Sequence, residues 1–129
     1  MSDRRYLMEH LAVFSELVDN IDEVLWMRDL VEERLLYVSP AFARIWGRPV
    51  DDLLRSPALW MESIHPEDRE RVVSAVVTNA RMGVDHVEYR IVRPDGKIRW
   101  IRDRAYPVRN SKGVIYRMAG VAEDVTDRR

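Results

Sequence analysis

Apolar positions change their spacing several times along the chain, and each change marks an element. Leu7, Leu11, Phe14 and Val18 recur at intervals of four and three, which is one stripe of an amphipathic helix. The spacing predicts a helix over residues 3–19, with Ser2 or Asp3 as its cap. That stripe has two uses open to it: packing on its own domain, or pairing with a second copy of the chain. The short apolar runs 23–29 and 34–38 flank the acidic Glu32-Glu33 pair and predict two strands. Their joint lacks Asn-Gly or Asp-Gly, so it is expected to exceed two residues. Ser39 then caps a short helix opened by Pro40, with Ala41, Phe42, Ile45 and Trp46 as its apolar face and Gly47 as its stop. Residues 49–54 can make another short turn of helix, and Ser56-Pro57 interrupts the pattern.

Residues 66–82 give the clearest helical pattern. Pro66 suits the first turn, and Glu67 and Asp68 complement the helix dipole there. Val72, Val73, Val76, Val77 and Ala80 form the stripe expected to be buried, and Gly83 the stop. Residues 87–93, 97–108 and 114–125 are rich in β-branched and aromatic side chains. Pro94-Asp95-Gly96 and Asn110-Ser111-Lys112-Gly113 join them as tight turns. The order is helix, two strands, small helices, one longer helix, three strands. It predicts an α+β domain, one antiparallel sheet with helices over a face.

Composition narrows the chemistry. The 129 residues suit one domain. There is no cysteine, which removes disulfides, thiolate catalysis and zinc–thiolate sites, and suits a reducing compartment such as the cytoplasm. A net charge of −1 argues against binding nucleic acid, and no apolar run is long enough for a membrane segment. His10, His65 and His86 have no metal-ligand spacing; His65 reads as an anchor of the helix that follows it. The carboxylates sit at turns and helix starts, and no nucleophile elbow or glycine-rich phosphate loop occurs. No enzyme activity is expected, and no catalytic or metal-binding residue.

Five strings, in this order and spacing, resemble the PAS domain family. They are Leu36-Tyr37-Val38-Ser39-Pro40-Ala41-Phe42, Ile64-His65-Pro66-Glu67-Asp68-Arg69, Glu88-Tyr89-Arg90-Ile91, Pro94-Asp95-Gly96-Lys97-Ile98-Arg99-Trp100-Ile101, and Gly120-Val121-Ala122-Glu123-Asp124-Val125-Thr126. The resemblance is to the domains of bacterial sensor histidine kinases and cyclic-di-nucleotide proteins. It implies a five-stranded antiparallel sheet in the order 2-1-5-4-3 with helices on one face. It also implies a cytoplasmic sensory and dimerisation module for signal transduction, regulating a kinase or cyclic-di-nucleotide output domain absent from this chain. Asp124-Val125-Thr126 is similar to the family's exit motif, where the signal leaves. The chain then divides into an N-terminal capping or dimerisation helix over 1–20, a sensory domain over 21–126, and the start of a linker over 127–129.

The same resemblance sets the parity of the strands. Trp26, Arg28, Tyr89, Ile91, Ile101, Asp103, Ala105, Tyr116, Met118, Gly120 and Ala122 would face the helices, with Ile45, Trp60, Ile64, Val73 and Val76 opposite. These residues either fill a core or line a pocket for a small molecule. The bulk of the aromatic side chains favours a filled core. Arg28 and Asp103 then either sit near strand ends, solvated, or meet a polar ligand, and the first is the expectation. No cofactor is expected. The light-sensing branch of the family needs a cysteine; haem-binding members use a histidine on the long helix; and the usual flavin contacts fall here on Ile91, Ile101 and Ala122. On the outer face Leu25, Met27, Trp100, Ile115, Ala119 and Val121 are expected to form a continuous apolar patch. The N-terminal helix, through Leu11, Phe14 and Val18, would cover it from the same chain or from a twin in a symmetric homodimer. Signal relay would run through Trp100, Val121, Asp124 and Thr126. The alternative is a ligand-free scaffold for protein–protein contact.

Overall fold

Five strands make a single antiparallel sheet in the order β2-β1-β5-β4-β3 in the computed structural model, which describes residues 2–82 and 85–128, and side chains outside positions 2, 77–82 and 85. The strands are β1 (Val24–Asp29), β2 (Arg34–Val38), β3 (Asp85–Val92), β4 (Ile98–Arg109) and β5 (Ile115–Asp124). The helices are α1 (Ser2–Asp19), α2 (Ala41–Trp46), α3 (Val50–Arg55), α4 (Ala58–Ser63) and α5 (Pro66–Met82). A 3₁₀ turn over Thr126–Arg128 closes the chain. Gly83 lies outside the described residues, as do the side chains of Val77 and Ala80. Among the described residues no helix is long and apolar enough to cross a membrane.

The strand patterning predicts this sheet because the inner positions are apolar or small at period two. Along β5, Met118, Gly120 and Ala122 are buried while their neighbours are half-buried. Tyr89, Ile91 and Ile101 are fully buried, and Ile64 bridges to Ile91 to seal α4 against β3. The turn between β1 and β2 spans Leu30–Glu33 and places Glu33 at φ 53°. Among the described residues β3 pairs with β4 as far as Ala105, and residues 106–109 of β4 pair with β5.

Three local expectations are corrected. Ser39 does not cap α2. It is fully buried, and its hydroxyl accepts the Leu25 N–H at 2.8 Å, fastening the end of β2 to β1. At the other end of α2, Arg93 Nη1 donates to the Arg44 and Ile45 carbonyl oxygens at 2.9 Å each. Residues 58–63 form a helix that the Ser56-Pro57 break concealed. The third correction concerns α1, expected to cover the outer face of the sheet from the same chain or from a twin: within this chain it does not. Tyr6, Leu7, Met8, Leu11, Val13, Phe14 and Leu17 are each 58–64% exposed, and only Val18 is buried. Its apolar face, opposite the polar Arg5, Glu9 and Glu16, stays open to solvent within this chain.

α5 is tied to the sheet by charge. His65 anchors its start: Nδ1 accepts the Glu67 N–H at 3.1 Å and the carbonyl accepts that of Asp68 at 2.8 Å. The buried Asp68 carboxylate accepts the Arg90 backbone N–H at 2.8 Å and its guanidinium at 2.8 and 3.0 Å. These bonds stabilise the ionised form and hold Asp68 at about 2, below the 3.8 of an unperturbed aspartate. A lowered folded value means stability present above pH 4 and lost as pH falls toward 2. Asp68→Asn is expected to cost about 2 kcal/mol at neutral pH and to flatten that acid limb, as measured by urea denaturation across pH.

Candidate functional site

Between the inner face of the sheet and the short helices lies a cavity of about 450 Å³. The core is therefore not filled, contrary to the expectation from aromatic bulk. Space exists because β5 lends small residues to the floor. Ala122 stands opposite Asp103 and Gly120 opposite Ala105 in the β4–β5 pairing, and Gly120 also pairs with Trp26 on β1. A Cβ on Gly120 would lie 2.2 Å from the Trp26 ring. The indole thus lies flat across β5, where only a glycine admits it. α2 and α4 form the opposite wall. Phe42 stacks on Trp46 at 5.1 Å, and the Trp46 indole donates to Ser63 Oγ at 3.0 Å, joining the two helices.

Crossing Gly120 brings Trp26 to Asp103. Its Nε1 donates to Oδ1 of Asp103 at 3.0 Å, and the Tyr89 hydroxyl donates to Oδ2 at 2.8 Å. Trp60 Nε1 donates in turn to the Tyr89 oxygen at 2.9 Å, its ring edge-on to the phenol. Strands β1, β3 and β4 and helix α4 therefore meet at one carboxyl group. Asp103 is not a solvated strand-end residue as expected. It sits in the middle of β4, and removal from water raises it to about 6, against the opposing pull of the Trp26 and Tyr89 bonds. Burial, with the Asp103 charge beside it, pushes the Tyr89 phenol well above its ordinary value.

The expected pocket residues separate into groups. Trp26, Arg28, Trp60, Asp103 and Met118 line the cavity, and Val76 reaches it from α5. Arg28 is exposed, one residue from the end of β1. Tyr89, Ile64, Ile91 and Ile101 are fully buried behind the lining, and Ile45 packs half-buried against the core. Val73 is 42% exposed and does not close the pocket, because the turn of α5 carries it off the face that presents Val72. Sequence reasoning did not place Val24, Leu53 or Met61 on the wall. Their signal was the apolar side of elements whose orientation came only with packing. Among the described residues no cluster of three His, Asp or Glu side chains could hold a metal.

The outer face differs from the expected continuous patch. Leu25 pairs with Val121 and Met27 with Ala119, but Arg104 stands opposite Val121 and Arg102 opposite Glu123. Arginines thus separate Trp100 from the apolar strip. Trp100 instead is bonded to the segment that follows β5. Its carbonyl accepts the Val125 N–H at 2.8 Å and its N–H donates to Thr126 Oγ1 at 3.0 Å. The Thr126 hydroxyl donates to Asp124 Oδ1, and the Arg90 guanidinium stands 5.4 Å over the Trp100 ring.

Comparisons with known proteins agree with this architecture. The family model described as PAS fold matches residues 35–122. A methyl sulfide methyltransferase-associated sensor of Methanosarcina acetivorans is 28% identical over 106 residues, which is 81% of this chain and 10% of that protein. An uncharacterised protein of Sinorhizobium fredii is 31% identical over 95% of this chain and 14% of its own length. The chain thus spans only a small part of the curated relatives it matches. Among solved structures, the N-terminal domain of a diguanylate cyclase with PAS/PAC sensor from Marinobacter aquaeolei superposes with a TM-score of 0.72. It is 26% identical and covers 82% of this chain and 97% of its own. A domain of a putative light and redox sensing histidine kinase from Haloarcula marismortui gives 0.69, at 30% identity over 89% and 99%.

Two outcomes follow from the cavity geometry. Gly120→Ala drives a methyl into the Trp26 ring and is expected to cost about 1–3 kcal/mol in chemical denaturation, with a red shift of tryptophan emission as the indole leaves Asp103. The second concerns pH. The folded value of Asp103, about 6, lies above the unperturbed 3.8, so the folded state takes up a proton as pH falls through that window. Wild type is expected to gain stability relative to Asp103→Asn by up to about 3 kcal/mol between about pH 7 and pH 4. Equal pH profiles for the two proteins in urea denaturation would contradict this.

Proposed function

The chain belongs to the PAS fold family, and on that premise we propose that it is a sensory and dimerisation module of a longer cytoplasmic regulator. In this reading the cavity takes up a small molecule, and the change is passed along β4 to an output domain of histidine kinase or cyclic-di-nucleotide type. The observation that carries the reading is the double duty of β4. Asp103 faces the cavity from it, and three residues earlier Trp100 holds the Val125-Thr126 exit on the same strand. A ligand that distinguishes two arrangements of the Asp103 cluster can bias the exit only through a continuous physical element, and this strand is one.

Dimerisation is supported by α1. Leu11 and Phe14 are exposed at 62% and 58% on a helix of 18 residues. A helix of that length in water draws its stability chiefly from burying an apolar face. A second copy supplies one, and symmetry makes the contact self-complementary. The ligand-free scaffold is the competing reading.

Native mass spectrometry of freshly purified protein, with an absorbance scan, separates them. A dimer carrying a dissociable small mass is the expected result; a bare dimer favours the scaffold, and a bare monomer contradicts both. Phe14→Glu is expected to shift light scattering from dimer to monomer while leaving the far-ultraviolet signature of the sheet intact.

A further inference from the structure

We propose that the ligand of this cavity is an organic cation: a protonated amine on an apolar body, with its ammonium group on the carboxylate of Asp103. The inference rests on the ligand-sensing reading above and adds the chemical class. The first ground is hydrogen-bond bookkeeping. Trp26 Nε1 is spent on Oδ1, the Tyr89 hydroxyl proton on Oδ2, and Trp60 Nε1 on the Tyr89 oxygen. Each of these groups has a single proton to give. The cluster therefore offers the cavity no donor, only acceptor lone pairs. A carboxylate has about four acceptor sites, and the protein fills two. A ligand that engages Asp103 must donate.

The second ground is charge. Asp68, Asp95 and Asp124 each have an arginine partner, from Arg90, Arg93 and Arg99. Among the described residues Asp103 has none; its partners are the neutral Trp26 and Tyr89. Arg28 and Glu33 also line the cavity, but both are exposed, and no ion pair joins Arg28 to Asp103 among the described residues. A carboxylate on an apolar wall with no counter-charge is costly, and a cation removes the cost. A neutral hydrocarbon would leave it unpaired, and an anion would be repelled.

The third ground is the rest of the wall. Trp26, Phe42, Trp46 and Trp60 present aromatic surface to the cavity. Aromatic faces attract cations and accept apolar bodies alike. A volume of about 450 Å³ is that of a small-molecule site. Length matters less than polarity: one ammonium at the Asp103 end, hydrocarbon elsewhere.

Three probes on one skeleton test the class: phenethylamine (cationic at neutral pH), phenethyl alcohol (neutral) and hydrocinnamate (anionic). Each is titrated into the full chain by calorimetry, with Trp26 and Trp60 emission as a second readout. The amine is expected to bind about tenfold more tightly than the alcohol, and the anion most weakly. Asp103→Asn is expected to abolish the amine's advantage and leave the alcohol unchanged. Alcohol or anion binding as tightly as the amine in wild type overturns the amine inference but leaves the ligand-sensing reading standing. Saturation by none of the three removes both. The wild-type ranking decides the matter even if Asp103→Asn does not fold.

Discussion

The pairing of β4 with β5 is the constraint on which the rest depends. Antiparallel register fixes which side chains share a face, and a slip of one residue would exchange inside for outside. Here it places Gly120 and Ala122 beside Ala105 and Asp103. Those small residues keep the floor of the cavity low, and Gly120 alone lets the Trp26 indole cross from β1 to the acid. Close packing usually leaves no such space. It survives because the large inner side chains, Tyr89, Ile91 and Ile101, sit on β3 and the early part of β4, where α4 packs through Ile64.

The half-buried carboxyl of Asp103, set on an apolar wall, is the expensive part of this arrangement. Partial satisfaction by an indole and a phenol keeps Asp103 bound into the structure without neutralising it. Asp68 shows the other solution, a carboxylate whose arginine partner makes its charge an asset. Two aspartates in one small domain are thus displaced from their ordinary behaviour in opposite directions. Hydrogen bonds from Arg90 lower Asp68, whereas removal from water raises Asp103 against the pull of its neutral partners.

Much of the fold was legible in the sequence. The period-two runs and the Pro94-Asp95-Gly96 and Asn110–Gly113 turns placed three strands to within two residues at each end. The inward parity of Ile101, Asp103 and Ala105 came from family resemblance, since Trp100 and Ile101 are both apolar and alternation alone could not choose. The site was less legible. The Trp26–Asp103 bond joins residues 77 positions apart, and nothing in either local string announces it. A glycine among apolar residues of a strand was the available signal, because Gly120 there means a close approach. The stripe of α1 is real and lies opposite a polar side of Arg5, Glu9 and Glu16, but a periodic pattern does not say what covers it, and within this chain its residues stay exposed. The continuous outer patch failed because a patch counted strand by strand ignores the cross-strand neighbours Arg102 and Arg104.

The overhang of β4 beyond β3 has a bearing on how copies of this domain can meet. Among the described residues Tyr106 to Arg109 have a strand partner on the β5 side only, and a free strand edge invites another strand to add to it. Pro107 occupies that stretch and has no N–H to contribute, so an incoming backbone would find its hydrogen-bond ladder broken there. The flat, open-ended growth that leads to fibres is thereby discouraged at this edge. Contacts through side-chain surfaces meet no such obstacle, and their geometry can close at a finite number of copies.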